Sequence, residues 1–156
     1  MGLGLGARLG RARVAEMLGK AERPIVIAGG QVDGERGRAA MLRAANALQI
    51  PVVTSFKRQD IFPNDNPLYA GYLGFNIPKP QVDLLSEADL ILAIGTRLGD
   101  TTTQGYVFPS IPPKQPLVHV YPDANVVGRV FAADVGLTVD PAAFLDALVD
   151  AGAQLL

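Results

Sequence analysis

The chain has 156 residues, 49% hydrophobic and 19% charged, and its 14 basic and 15 acidic side chains leave a formal charge of −1. This is the composition of a globular chain with enough residues for a substantial core, and no basic stripe points to a nucleic-acid partner. The absence of cysteine excludes disulfides, thiolate nucleophiles and Cys-based metal sites, and it is compatible with a cytoplasmic protein.

The opening "MGLGLGARLG" has no continuous apolar core of a signal peptide, and no apolar run in the chain approaches the roughly 18 residues of a membrane span. Residues 1–10 are expected to be a lead-in or linker remnant. Val14, Met17 and Leu18 recur at helical spacing, which predicts a helix over Leu9–Ala21. After Pro24, "IVIAGG" is a short β-branched run ending in two glycines, the composition of a buried parallel strand. A helix over Arg36–Leu48 follows, with Ala40, Leu42, Ala44, Ala45 and Leu48 on its apolar side, and then "PVVTS" as a second strand.

Phe56 to Pro80 carries four prolines with Phe62, Tyr69, Tyr72 and Phe75 interleaved. It is expected to be a long structured loop, functional or packed on a neighbouring domain. A helix over Gln81–Glu87 leads into a third strand, Asp89–Ile94. Thr101 to Gln115 reads as loop, "PLVHVYP" and "GLTVD" as the fourth and fifth strands. Asp140 as N-cap and Pro141 at the first helical position open a last helix that reaches about Val149. Short strands alternating with helices predict an α/β fold: a Rossmann-like three-layer α/β/α domain with a mainly parallel sheet of five to six strands. In such sheets ligands bind beyond the carboxyl ends of the strands, at the switch point.

Candidate binding residues therefore sit at strand ends. Neither a G-x-G-x-x-G fingerprint nor a P-loop follows the first strand, which counts against a free-standing FAD- or NAD-binding oxidoreductase. Gly29 and Gly30 admit two readings, a tight strand-to-helix turn or a close backbone approach to a ligand. Arg97, just past the third strand in "AIGTRLGD", either grips a phosphate or carboxylate or pairs with Asp100. His119, the one histidine, is expected to be a structural strand residue. The aromatics of the long loop either anchor it or stack on a planar ring.

The ordered segments "AERPIVIAGGQ", "LQIPVVTSF", "NPLYAGYLG", "LSEADLILAIGTRLGD", "PLVHVYPDANVVGRV" and a "VDP" turn resemble the central domain of thiamine diphosphate (TPP)-dependent enzymes of the acetolactate synthase and benzoylformate decarboxylase kind. The likeness covers Arg11 to Ala151, with residues 152–156 as a tail. It implies a fold of the DHS-like NAD/FAD-binding type. It also implies flanking pyrimidine- and diphosphate-binding domains in the same chain, which hold thiamine diphosphate and Mg²⁺, and a parent homodimer or homotetramer. No Gly-Asp-Gly motif stands in this sequence, so the chain is not expected to catalyse alone. In some members this domain holds FAD or ADP. Carried over position by position, that pattern implies cofactor-binding roles for Gly29, Gly30, Thr54, Leu73, Gly74, Gly95, Thr96, Arg97 and Asp140. Two departures stand out: Phe75-Asn76 after Gly74, where Met-His-Gly is usual, and Arg97-Leu98-Gly99-Asp100, where Arg-Phe-Asp-Asp is usual.

Overall fold

The computed structural model describes residues 3–155. Six strands form one sheet: β1 (Pro24–Ala28), β2 (Val52–Thr54), β3 (Tyr69–Tyr72), β4 (Leu90–Ile94), β5 (Leu117–Tyr121) and β6 (Val135–Thr138). Their order is β3-β2-β1-β4-β5-β6, and every neighbouring pair is parallel. The chain builds outward from β1 to β3 and then returns to the middle to start β4. The topological switch point therefore lies between β1 and β4, which pair from Pro24↔Leu90 to Ala28↔Ile94.

Helices α1 (Leu5–Lys20), α2 (Glu35–Leu48) and α4 (Pro141–Leu155) cover one face of the sheet. There they bury Val26, Leu92, Ile94, Val118, Val120 and Val135, with Met41 and Phe144 among the helical residues packed against them. The other face carries Ile25, Ile27, Ile91, Ala93 and Leu117. It is covered by one helix, α3 (Lys79–Glu87), through Leu85, and by loop residues Leu73, Leu98 and Phe131. β4 and β5 are buried at every position because both of their faces are covered, which is why they read as continuous apolar runs. β6 instead alternates: Val135 and Leu137 are buried and Gly136 and Thr138 exposed, as befits an edge strand covered on one side.

Three boundaries differ from expectation. β3 lies inside the segment read as loop. Its four residues include Gly71 at φ +110°, and its register with β2 is irregular, so neither composition nor alternation marks it. Buried Phe62 stacks on Tyr69 with ring centroids 6.4 Å apart and fixes the loop to the sheet edge. α1 begins at Leu5, within the expected lead-in, and runs through Gly6 and Gly10; packing against β6 and α4 outweighs the poor helix propensity of glycine. Residues 1–2 of that lead-in lie outside the described residues. α4 continues past Val149 into the segment expected as a tail.

Candidate functional site

The carboxyl ends of β1 and β4 meet backbone to backbone. Gly29 donates its N–H to the Ile94 carbonyl at 2.9 Å, and Gln31 donates to the Gly95 carbonyl at 3.0 Å. A Cβ on Gly29 would stand 2.4 Å from the Thr96 Cα and 2.6 Å from the Gly95 carbonyl oxygen. Gly95 turns at φ +71°, a conformation open to glycine at little cost, and its N–H is held by the Val120 carbonyl at 2.8 Å.

His119 locks this turn from below. It is buried on β5, and its Nδ1 accepts the Gly128 N–H at 3.1 Å. The proton therefore sits on Nε2, which donates to the Thr96 carbonyl at 2.8 Å. Burial pushes the His119 pKa below its ordinary value, against the opposing pull of the Thr96 carbonyl. With both ring nitrogens engaged, the imidazole is a brace between the β4 turn and the loop after β5.

Above the turn lies an open cleft of about 590 Å³. Gly30, Gly95, Thr96 and Arg97 line it, together with Gln31, Ser55, Arg58, Thr102 and Tyr121. Arg97 is exposed and donates from Nε to the Tyr121 hydroxyl at 3.0 Å, a bond that favours the charged guanidinium. It forms no ion pair among the described residues, so the pairing with Asp100 is corrected: the partner of Arg97 is Tyr121, while Asp100 stands separately on the rim. Arg58 enters from the loop after β2. Its guanidinium lies over Gly30, where a Cβ would meet Nε at 3.1 Å and Nη2 at 3.2 Å. Asp33 holds it at 3.4 Å and itself receives the Gly34 N–H and Arg38 Nε, each at 2.8 Å. Those bonds, that from Arg38 foremost, hold the Asp33 carboxyl below its usual range.

The other expected site residues are placed differently. Gly29 lies under the cleft as a packing contact. Thr54 and Leu73 are fully buried, and the Leu73 N–H donates to the Thr54 carbonyl at 2.8 Å, tying the end of β2 to the residue after β3. The Thr54 hydroxyl oxygen is buried with no hydrogen-bond partner among the described residues. Gly74 opens on an adjoining hollow of about 430 Å³ that shares Asp100 and Thr101 with the cleft and includes Phe75 and Asn76. Phe75 is 73% exposed and meets Phe56 edge-on, centroids 5.2 Å apart. Asp140 is the N-cap of α4, accepting the Ala143 N–H at 2.9 Å, and pairs with Arg36 at 3.2 Å; it does not line the cleft.

Sequence reasoning missed Arg58, Gln31 and Tyr121. The rule that selected Arg97, a polar residue at a strand's carboxyl end, applies equally to "TSFKR" after β2 and to the tyrosine that closes β5. The cleft presents guanidinium donors suited to anionic oxygens and glycines that let a ligand approach the backbone. Among the described residues no group of three or more His, Asp or Glu side chains is placed to hold a metal ion, and no helix is long and apolar enough to cross a membrane.

Residues 11–148 match the family model of the thiamine pyrophosphate enzyme, central domain. The chain is 30% identical over 128 residues to a probable acetolactate synthase large subunit of Methanocaldococcus jannaschii, covering 82% of this chain and 21% of that protein. It is 31% identical over 132 residues to sulfoacetaldehyde acetyltransferase of Rhodobacter capsulatus, covering 84% and 22%. It is 28% identical over 150 residues to glyoxylate carboligase of Escherichia coli O157:H7, covering 96% and 25%. The chain thus spans about a fifth to a quarter of the length of these relatives. A six-stranded parallel sheet with a glycine-lined cleft at its switch point, matched along residues 11–148, makes the chain a member of the thiamine pyrophosphate enzyme family, as its central domain.

Proposed function

We propose that this chain is the central domain of a thiamine diphosphate- and Mg²⁺-dependent 2-oxo acid decarboxylase or carboligase, and that its switch-point cleft takes the diphosphate of FAD or ADP. The observation that carries the second half is the pairing of Arg58 and Arg97 in one cleft of about 590 Å³. In this reading thiamine diphosphate and Mg²⁺ belong to flanking pyrimidine- and diphosphate-binding domains of the same polypeptide, a cytoplasmic homodimer or homotetramer. Thiamine diphosphate supplies the carbanion chemistry when bound. The residues of this chain bind and orient. Arg97 and Arg58 offer N–H groups to phosphate oxygens, Gly30 admits them close to the backbone, and the hollow beside Gly74 and Phe75 has room for a further part of the ligand. The names of the relatives, a synthase, an acetyltransferase and a carboligase, support a parent enzyme that forms or transfers acyl-derived carbon units.

A thermal-shift and absorbance titration of the chain with FAD and ADP tests this. A ligand at 100 times its dissociation constant stabilises by about 2.7 kcal/mol, or roughly 5–11 °C in a chain of this length. The expected result is such a shift, abolished in Arg97→Ala. No shift with either nucleotide would overturn the nucleotide half and leave a domain whose work is assembly of the parent. Extending the polypeptide on both sides and assaying 2-oxo acid decarboxylation with thiamine diphosphate and Mg²⁺ tests the first half; an extended protein that takes up no thiamine diphosphate would refute it.

A further inference from the structure

We infer that Arg58 is a second phosphate-gripping residue of the cleft, and that Asp33 is the positioning residue that aims it; this rests on the nucleotide reading of the same cleft. Arg58 comes from the β2 side of the switch point and Arg97 from the β4 side, and both line one space. Their donors are largely unspent. Among the described residues Arg58 donates only from Nη1, to Asp33, and Arg97 only from Nε, to Tyr121. A guanidinium has five N–H groups in a fixed fork, so each arginine has donors left to offer an anion.

Arg58 is also held in place. Its Nε and Nη2 lie only 3.1 and 3.2 Å from where a Cβ at position 30 would stand, so the glycine there lets the guanidinium lie close over the backbone of the β1 exit. Asp33 fixes its other end, and Asp33 is itself fixed. Its Oδ1 takes the Gly34 N–H and Arg38 Nε at 2.8 Å each, leaving Oδ2 for Arg58. Arg38 in turn donates to the Asp60 carbonyl at 3.0 Å and carboxylate at 3.1 Å. A rail therefore runs from α2 through Arg38 and Asp33 to the cleft. An exposed ion pair of this kind adds little to stability. Its effect is geometric, because a long side chain kept in one orientation loses less freedom when it grips a ligand. Two preset guanidiniums in one cleft match two adjacent anionic groups, as in a diphosphate, better than one phosphate.

The test is isothermal titration of the 156-residue chain with ADP, inorganic pyrophosphate and inorganic phosphate, in unaltered form and as Arg58→Met, Asp33→Asn, Asp33→Glu and the Arg58→Met/Asp33→Asn double variant. Arg58→Met is expected to weaken ADP and pyrophosphate about tenfold or more, the effect of losing a charge-assisted contact. Asp33→Asn is expected to weaken both by a smaller factor, Asp33→Glu to recover part of it, and Asp33→Asn to change nothing further once Arg58 is gone. Urea midpoints should stay with the unaltered chain throughout, which separates positioning from folding. If the unaltered chain binds ADP and Arg58→Met binds it equally well, the inference fails and the cleft reading stands. Additive losses from Arg58→Met and Asp33→Asn overturn the positioning role of Asp33. Phosphate bound as tightly as pyrophosphate overturns the two-pronged grip. An unaltered chain silent to both ADP and pyrophosphate overturns the cleft reading and this inference together.

Discussion

Gly29→Ala is the sharpest probe of how the two sheet halves are joined. The new methyl would lie 2.4 Å from the Thr96 Cα and 2.6 Å from the Gly95 carbonyl oxygen, where ordinary contact begins at 3.4 Å. Some 1 Å of separation is therefore needed, and most of what must move is backbone, which has no rotamer to yield. That backbone is pinned by Gly29 N–H to Ile94, Gln31 N–H to Gly95 and Gly95 N–H to Val120. Overpacking of a core typically costs about 1–3 kcal/mol, and pinned backbone belongs at the upper end, so we expect about 3 kcal/mol. At about 2–4 °C per kcal/mol for a chain of this length, the melting temperature should fall by roughly 6–12 °C. Urea unfolding should show a lowered midpoint with an unchanged slope. Two nearby glycines give the contrast. Gly99 has nothing among the described residues within 4 Å of the place a methyl would occupy, so Gly99→Ala should stay within about 0.5 kcal/mol or stabilise slightly. The nearest atoms to a methyl at position 30 belong to the Arg58 guanidinium, the far end of a flexible side chain, so Gly30→Ala should cost less than about 1 kcal/mol while displacing that arginine. A Gly29→Ala loss below about 1 kcal/mol, or equal losses at all three positions, would refute the reasoning.

Other outcomes follow from single contacts. His119 is the one histidine, and its folded pKa lies below the ordinary 6.5. The unfolded chain therefore takes up a proton that the folded chain resists: stability is complete above about pH 6.5 and declines as pH falls below it. Urea midpoints between pH 8 and 5 should show this, and His119→Leu should flatten the profile; the same slope in both would refute it. Asp140→Ala removes the α4 N-cap and should cost about 1 kcal/mol in a urea titration. Asp89 accepts the Glu22 and Arg23 N–H groups at 2.8 Å each, and these, Glu22 foremost, hold its pKa below the ordinary 3.8. Its contribution is present above that pH and lost as pH falls below it, so Asp89→Ala should lower stability at pH 7 by about 1 kcal/mol and leave less acid-dependent loss. Phe144→Ala empties a fully buried position between α4 and the sheet and should cost about 3–5 kcal/mol by the same assay.

The sheet was legible where burial is two-sided. β1, β4 and β5 are short apolar runs because both faces are covered, and Asp140-Pro141 marks the start of α4 by capping chemistry alone. β3 was not legible, since a half-buried edge strand with Gly71 at φ +110° carries neither signal, and tertiary anchoring by Phe62 sets its place. The start of α1 was hidden for the opposite reason: its glycines speak against a helix that packing imposes. For the site, position at a strand end selected Arg97, but its partner is on another strand. No local pattern links Arg97 to Tyr121, 24 residues on, or Arg58 to Asp33, 25 residues back. Likewise Thr54 ends a strand as expected, yet its side chain is buried beneath the surface, a matter of which way one pleat faces.

These placements separate what the fold demands from what a ligand would demand. Gly29 has to be glycine because a methyl would force β1 from β4, and Gly95 is favoured because it turns at φ +71° with the Val32 backbone N 3.0 Å from where a Cβ would stand; both hold in a domain that binds nothing. The His119 brace under Thr96 is equally a requirement of the turn. Glycines at strand ends are thus weak witnesses for a nucleotide. Arg97 and Arg58 are different. Neither is buried, and neither completes the core. Arg97 spends one donor on a neutral phenol, and Arg58 shares one carboxylate with Arg38. Exposed contacts of that kind contribute little to folding, so the fold gives no reason for two arginines to converge on one cleft. An anion would. The nucleotide reading accordingly stands on the side chains that stability does not need, and it is those residues, not the glycines, whose substitution separates a binding domain from a scaffold.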